Sequence, residues 1–438
     1  MSSLVFLHLS DIHFQRNAGN TYDPYAGLRN ELELDVQSFS AATFKSVNAI
    51  LITGDVAYSG DPEEYAYAQA WIEKIAGILK LIPGEDVFVI PGNHDIQRDV
   101  VRKSATIQGY HAALREPNRD PNVALVDYLQ KDDEAKRIIF KPLQNYNDFA
   151  ARYQCNISAE EPYWEHPFAL SDGSTLNLRG MNSTLISDEH DSDTAHKLVV
   201  GDYQLELLRQ DGVEHMILCH HPPQWMVDQD QAETLLTSRA RIQLFGHKHM
   251  QRVTRIEDSV RVVAGAMHPE KREPNWKPKY NFIEVDVEVR GADTRILVVR
   301  GYPRVYEDTK FVSGNEGAST FRQDELPLPL WTTPTVATPS APKEITDAAV
   351  KSKGGLRMRP GRRLTYRFLN LPHHSRVKIV QELGLVREDD EGLRDAELYS
   401  RYFSRAAEAG SLPKLWDLVN DASSTREENP FSKMRGAA

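Results

Sequence analysis

LVFLHLSDIHF, residues 4–14, decides the fold. From Leu4 to Ser10 the run is apolar apart from His8 and the closing serine, as expected of a buried strand. Asp11 and His13 follow at once, so the strand delivers chemistry-bearing groups to its carboxyl end. The same pattern recurs along the chain: Ala49–Thr53 precedes Gly54-Asp55, and Asp86–Ile90 precedes Gly92-Asn93-His94-Asp95. Met216–Cys219 precedes His220-His221-Pro222-Pro223, and Arg241–Phe245 precedes Gly246-His247-Lys248-His249; Val260–Ala264 is a further strand run. Helical patterns lie between them, the clearest starting at Asp61 with Pro62 and Glu64 at the first and third helical positions. Ala68, Trp71, Ile72, Ile75, Ile78 and Leu79 then recur at helical spacing. Alternating strand and helix predicts a layered α/β fold, and loops at the carboxyl ends of its strands are where a ligand crevice forms. In extended chain the two-residue spacing of Asp11 and His13, and of His247 and His249, would turn both members of each pair to one side.

Around these motifs lie 438 residues, 40% hydrophobic and 26% charged, enough for two or three folded units and unlike a disordered or collagenous chain. The net charge of −11 argues against a generic polyphosphate binder and leaves nucleic acid only a local patch. Cys155 and Cys219 cannot make a disulfide framework, which points to a reducing cytoplasm, and the 15 histidines are the more informative metal-capable set. The apolar start has no basic flank and reads as a strand rather than a leader. No run approaches the roughly 20 apolar residues of a membrane span, so no membrane association is expected.

Residues 1–310 are expected to form the α/β domain, with a polar, helix-prone insertion at about 96–165 flanking the site. Residues 311–360 read as a linker, first rich in Pro, Thr, Ser and Ala, then basic through Lys351, Lys353, Arg357 and Arg359. Residues 361–425 form a small all-α domain, legible in Leu398, Tyr399, Tyr402, Phe403 and Ala406 and then in Leu412, Leu415, Trp416 and Val419. Residues 426–438 are expected to be a disordered tail.

The motif side chains offer carboxylate oxygens, imidazole nitrogens and one amide oxygen, a mixture suited to Mn, Fe or Zn rather than to a thiolate site. Two metals need a shared ligand, and a carboxylate can bridge them. In their order, the motifs D-x-H, G-D, G-N-H-D, H-x-P and G-H-x-H resemble the calcineurin-like metallophosphoesterase superfamily, from about Leu4 to Ala264. Tyr58-Ser-Gly-Asp-Pro-Glu-Glu-Tyr65, the His-His-Pro-Pro turn, Met181-Asn-Ser-Thr184, Gly201-Asp-Tyr-Gln204 and Leu207-Leu208 look most like its bacterial cyclic-nucleotide phosphodiesterase branch. The aspartate usual there is Asn182 in this chain.

The resemblance implies a four-layer α/β/β/α sandwich holding two divalent metal ions, Mn, Fe or Zn before Mg. Asp11, His13, Asp55 and His249 would hold one, and Asp55, Asn93, His220 and His247 the other, with Asp55 bridging and a metal-bridging hydroxide as nucleophile. His94 and Asp95 are the implied catalytic pair, His94 turned to the leaving oxygen and Asp95 orienting the site. Gly54, Gly92 and Gly246 would let backbone pass close to the cluster. The segment from Leu371-Pro-His-His-Ser375 through Glu382-Leu-Gly-Leu385 to Leu415-Trp416 looks like small effector-associated, death-like adaptor domains, which implies a protein partner, with self-association the competing role. The expected function is therefore a two-metal phosphodiesterase on nucleotide-like substrates, recruited by its adaptor. A metal-dependent nuclease on DNA or RNA ends is the alternative, and a signalling or conflict-system scaffold a third.

Plainer roles are assigned elsewhere. His8, His111, His166, His190, His196, His215 and His268 are structural, His221 is a turn residue or a support behind the ligands beside the metal-facing His220, and Lys248 points to solvent. Cys219 is buried rather than nucleophilic. Tyr163, Trp164, His166 and Phe168 form core or lid rather than a base platform, and Arg357–Arg367 is a solvated flank rather than a nucleic-acid contact. His373 and His374 are not ligands.

Overall fold

In the computed structural model the apolar runs become strands. The structure describes residues 3–116, 119–189, 191, 198–269, 277–291, 294–314, 321–330 and 359–432. Along the chain the strands are β1 (Leu4–Leu9), β2 (Ala49–Ile52), β3 (Val87–Val89), β4 (Trp164–Ala169), β5 (Thr175–Gly180), β6 (Val213–Cys219) and β7 (Ala240–Phe245). They continue with β8 (Arg252–Ile256), β9 (Ser259–Val263), β10 (Lys279–Val289), β11 (Arg295–Glu307), β12 (Lys310–Ser313) and β13 (Arg322–Leu328). One sheet runs β12-β11-β10-β1-β2-β3 with β13 also on β11, and the other runs β4-β5-β6-β7-β9-β8. The motif-bearing strands are parallel to their neighbours, β1 to β2 to β3 in the first sheet and β6 to β7 in the second.

The sheets meet face to face. Phe6 of β1 packs edge-on against Phe168 of β4, centroids 5.1 Å apart, and Phe88 of β3 lies 5.6 Å from Trp164. Trp164 Nε1 donates to Val89 O at 3.1 Å, satisfying the one polar atom that this large side chain buries. The Trp164–Phe168 cluster is therefore core. Helix Ala26–Thr43 covers the first sheet, its Asp35 accepting from Tyr280 of β10 and Arg304 of β11. Helix Pro62–Leu79 starts with a capping box built by Asp61 and Glu64 and buries Ala68, Trp71, Ile72, Ile75 and Leu79. Helix Gln229–Arg239 lies on the second sheet, its Glu233 paired with Arg261 of β9 at 2.8 Å. The result is the mixed α/β fold, two sheets between helices.

Two boundaries differ from the reading of the sequence. All of β13 and all but the first residue of β12 fall inside the expected linker from 311, and β13 belongs to the sheet because it buries Asp324, Leu326 and Leu328 at alternate positions against β11. The helices Arg98–Arg102, Ala105–Leu114, Pro121–Lys131 and Asp133–Ile139 fill the expected insertion, but its end at 165 lies within β4.

The chain divides into two units, one of Met1–Leu81, Val87–Tyr146 and Ile157–Thr333, the other of Ile82–Asp86, Asn147–Asn156 and Pro334–Ala438. Within the second, helices Arg359–Leu369, His373–Glu382, Asp395–Glu408 and Leu412–Ala422 enclose Phe368, Tyr399, Phe403, Leu415 and Trp416. The arginines expected in a solvated flank are engaged inside this unit. Arg359 pairs with Asp86 at 3.2 Å, Arg363 and Arg367 with Glu427 at 2.7 and 2.9 Å, and Arg362 is buried. Nor is the start of the expected tail loose: Phe431 is 2% exposed and packs on Trp416, while Asn429 bonds Pro413 O and Asp417. Lys351, Lys353, Arg357 and residues 433–438 lie outside the described residues, as do His190 and His196. No described helix is long and apolar enough to cross a membrane.

Candidate metal centre

All five motifs leave the carboxyl ends of parallel strands, three from the first sheet and two from the second, so the centre straddles the crevice between the sheets. Backbone bonds join the loops. Asp11 N–H donates to Gly54 O at 3.1 Å, Ile12 and His13 N–H both donate to Asp55 O at 2.9 Å, and Gly246 N–H donates to His220 O at 3.0 Å. The pairing of Asp11 with His13, and of His247 with His249, does not come from extended chain as expected. These four residues and Asp55 all have left-handed backbone, with φ of 52, 51, 65, 52 and 52°. Each such turn costs a non-glycine residue about 1 kcal/mol or more, and the loop bonds offset that cost. Gly92 is required by close approach, since a Cβ there would lie 2.1 Å from Asp55 Oδ1. Gly54 combines φ of 91° with a would-be Cβ 2.6 Å from His220 Nδ1.

The side chains converge. Asp55 Oδ2 lies 3.1 Å from His13 Nε2 and 3.3 Å from His220 Nε2, and Asp11 Oδ1 is 3.3 Å from His249 Nε2. Asn93 Oδ1 lies 3.1 Å from both His220 Nε2 and His247 Nδ1. The seven residues read as ligands from the sequence are thus brought together around Asp55 and Asn93. His220 tests whether this set fits a cation. Its Nδ1 lies 2.7 Å from Thr53 O, which can only accept, so Nδ1 carries a proton and the neutral ring turns a lone pair on Nε2 toward the oxygens of Asn93 and Asp55. Acceptor facing acceptor is stable only with a positive charge between them. Burial works against charge on His220, yet Asp55 and Asp11 push it up to about 9, so without a cation a second proton on Nε2 takes the place of that positive charge, while Asp55, despite burial, is held well below the carboxylate range by His220 and His13. Burial and the neighbouring His220 push His247 down to about 3, leaving it a neutral donor of lone pairs. Among the described residues, the His, Asp groupings able to hold a metal all fall in this cluster: His220 with His221 and His247, Asp11 with His13 and His249, His13 with Asp55 and His94, and Asp11 with Asp55 and His220.

His94 sits at the rim, its N–H donating to Asp55 Oδ1 at 2.7 Å and its Nδ1 bonded to Tyr58 O at 2.8 Å. Its ring lies 4.6 Å from that of His13, so it faces the cluster's edge. Asp95, expected beside it as a catalytic residue, is instead fully buried behind the loops. Its carboxylate accepts from Val56, Ala57 and Gly92 N–H and from Tyr65 OH at 2.9–3.2 Å, which makes it a positioning residue. Lys248 is exposed, with Nζ 5.5 Å from the Trp225 ring centre. Cys219 is buried and its thiol pushed up to about 12, unfit as a nucleophile. Asn182 accepts from Thr184 N and Oγ1 at 2.8 and 2.9 Å, closing a turn away from the cluster atoms.

Several residues contribute to the centre in ways that the sequence does not assign. Thr53 O anchors His220, Ser183 Oγ holds His221 at 2.9 Å, and Trp225 packs 4.2 Å from His247. His268 lies on Tyr25, 4.5 Å away, and bonds Ile12 O, buttressing the first loop. Trp225 and Tyr25 carried no signal in the sequence, whereas Thr53, Tyr65 and Ser183 lay inside stretches already singled out and His268 was expected to be structural.

Residues 4–251 match the family model described as calcineurin-like phosphoesterase, and residues 361–421 match that of a GTPase-associated adaptor domain. Over 193 residues the chain is 28% identical to an uncharacterized metallophosphoesterase-like protein, YydB, of Bacillus subtilis (strain 168). That match covers 42% of this chain and 34% of YydB, so the chain spans about a third of its relative's length. Among solved structures, Vacuolar Protein Sorting 29 from Cryptosporidium parvum is similar at 12% identity and TM-score 0.31, over 74% of this chain and 99% of that one. GAP50, the anchor in the inner membrane complex of Plasmodium, is similar at 11% identity and TM-score 0.35, over 76% and 90%. With the family model matched across more than half its length, from β1 through the His247–His249 loop, the chain belongs to the calcineurin-like phosphoesterase family.

Proposed function

We propose that this protein is a metal-dependent phosphodiesterase acting on a nucleotide-like small molecule, and that its C-terminal helices recruit it to a protein partner. The observation that carries the reading is the convergence of His220 Nε2 on Asp55 and Asn93, 3.3 and 3.1 Å away, in a cluster with His13, His247, His249 and Asp11. Asp11, His13, Asp55 and His249 would hold one cation and Asp55, Asn93, His220 and His247 the other. Bound there, two divalent cations supply neutralisation of phosphoryl charge and acidify a water. His94 donates through Nδ1 to Tyr58 O, which fixes its ring, and Nε2 would protonate the leaving oxygen only from the imidazolium form, with a second proton taken up on Nε2 before the transfer.

A cavity of about 470 Å³ adjoins His94 and supports a small substrate. Tyr58, Gln97 and Asn145 line it together with Arg16, Arg98, Asp61 and Asp99. That wall is mixed in charge and carries an exposed aromatic ring, unlike the uniformly basic groove that a nuclease needs for a phosphate backbone. The match to an adaptor domain supports a protein partner.

The test is hydrolysis by protein purified without chelator and loaded in turn with Mn, Fe, Zn or Mg. Cyclic nucleotides, linear diesters, monoesters and single-stranded oligonucleotides are compared. Diester cleavage above the others is expected, with His94→Ala keeping its metal and losing about 100-fold or more in kcat. Preference for oligonucleotides would replace this reading with the nuclease, and no hydrolysis with any metal would end it.

A further inference from the structure

The cavity beside His94 owes its charge to one side chain. Its wall carries two arginines and two aspartates, and three of these four are matched. Arg16 pairs with Asp61 at 2.6 Å, while Asp99 takes Lys103 at 3.0 Å and Arg102 as well. Arg98 is exposed, and among the described residues no carboxylate or carbonyl takes up its guanidinium. The chain around it is held in place. Gln97 N–H donates to Pro142 O at 3.0 Å, and Gln108 Nε2 donates to Val101 O and Arg102 O at 3.3 and 2.8 Å, which secures both ends of the helix Arg98–Arg102. Arg98 also borders a second cavity of about 340 Å³, where Arg102, Gln108 and Arg115 stand in the wall and Arg115 is neutralised by Asp188 at 2.5 Å. Space for a ligand is thus present on both sides of this guanidinium. Tyr58 supplies a flat surface in the first cavity. Its N–H donates to Phe14 O at 2.9 Å and its O takes His94 Nδ1 at 2.8 Å, so its backbone is pinned. The ring is 40% exposed and lies 5.4 Å from that of His94. An aromatic face held in this way suits the stacking of a base.

We propose that Arg98 is a specificity-determining residue that holds a second phosphate of the substrate, one nucleoside away from the scissile phosphorus, with the base of that nucleoside on Tyr58. The substrate class is then a dinucleotide, either linear with a terminal phosphate or cyclic, rather than a cyclic mononucleotide, whose single phosphate is taken up at the metal centre. A guanidinium offers phosphate paired N–H donors, and Arg98 gives up no ion pair to do so. It meets a group that does not react, so it acts on KM more than on kcat. The inference rests on the phosphodiesterase reading above.

The experiment uses the full chain, loaded with metal, on four adenine diesters: the plain linear dinucleotide, the same with a phosphate on its 3′ end, the same with a phosphate on its 5′ end, and the cyclic dinucleotide. At least one form with a second phosphate is expected to exceed the plain dinucleotide in kcat/KM by about 10-fold or more, through KM. Arg98→Gln should bring that ratio to about one, and Arg98→Lys, which returns the charge without the fork, should restore part of it. Tyr58→Leu should raise KM for all four by about 5-fold or more and leave the ratio standing. The preferred form identifies which end of the scissile bond carries the second phosphate, and whether the substrate is linear or cyclic, and any of the three supports the proposal. A wild type that cleaves the plain dinucleotide as well as the others would overturn it, as would an Arg98→Gln variant that keeps the preference. Unchanged KM in Tyr58→Leu would overturn the placement of the base. A wild type that cleaves no diester would sink the phosphodiesterase reading instead. Calorimetry with adenosine 3′,5′-bisphosphate and adenosine 5′-monophosphate then decides the role of Arg98 by itself: a preference of about 10-fold for the bisphosphate, lost in Arg98→Gln, supports it, and equal affinities end it.

Discussion

The loops of the metal centre and the C-terminal helices are built on opposite principles. Asp11, His13, Asp55, His247 and His249 adopt left-handed backbone and crowd carboxylates and imidazoles into a buried space. Each is unfavourable locally and is held by bonds between loops. In the C-terminal unit, Leu364, Phe368, Tyr399, Phe403, Leu415 and Trp416 meet at helical spacing in a core where local preference and packing agree. Its charges serve the fold: Asp390 takes two bonds from Arg405, and Glu427 takes Arg363 and Arg367. Strain and buried charge therefore concentrate where chemistry is done, while the appended unit follows the rules of stable helical packing.

The sharpest way to break this contrast is Asp55→Asn. The substitution removes one negative charge from the centre and puts an amide where His13 and His220 meet a carboxylate oxygen. Metal content and activity should fall together, kcat by about 1,000-fold or more, with the far-ultraviolet spectrum unchanged. Full activity in this variant would mean that the cluster is not the reaction centre. Next in size is Trp416→Ala. This side chain is 1% exposed and contacts Phe431, so its loss should cost about 3–5 kcal/mol in chemical denaturation. Turnover should stay within about twofold. A cost under about 1 kcal/mol would mean that these helices are not held by a close-packed core.

The strands leading into the five motifs were legible because each is a short apolar run ended by residues that no core would choose. Helix Pro62–Leu79 was legible from its cap and its spacing. β10 and β11 went unread: the eleven and thirteen residues of these strands mix charge with apolar groups, as Glu284, Asp286 and Arg300 do, and no motif marks their ends. β13 was hidden by Pro327 and Pro329, whose composition resembles a linker, though Pro327 lies where β13 pairs only with β11. At the centre, donor types were visible in the sequence while backbone conformation was not. Two-residue spacing suggested extended chain for Asp11 and His13, but the loop-to-loop bonds of Asp55 O impose a tight left-handed turn. Trp225 stayed invisible and Ser183, though inside a quoted motif, was given no role, because their importance comes from neighbours distant in the chain.

The smallest expected effect probes the cost of burying a titratable group where it does no chemistry. His8 lies within β1, is fully buried and holds Thr53 Oγ1 at 2.9 Å through Nε2, with Nδ1 unpartnered. Burial, only partly opposed by Asp11, pushes its imidazole down to about 3 from an ordinary value of 6.5. Between these limits the unfolded chain binds a proton at this position and the folded chain does not, so unfolding takes up one proton. Stability due to this residue is then whole above pH 6.5 and is lost as pH falls toward 3, by about 1.4 kcal/mol per pH unit in the middle of the window. His8→Leu removes that dependence at the cost of one hydrogen bond, about 1 kcal/mol at neutral pH. Urea unfolding at pH 7, 6, 5 and 4 should give the variant a shallower loss of stability on acidification, with the two curves approaching and then crossing. Parallel curves would mean that the folded protein protonates His8 as readily as the unfolded chain, and that β1 tolerates charge where its neighbours are sealed from water.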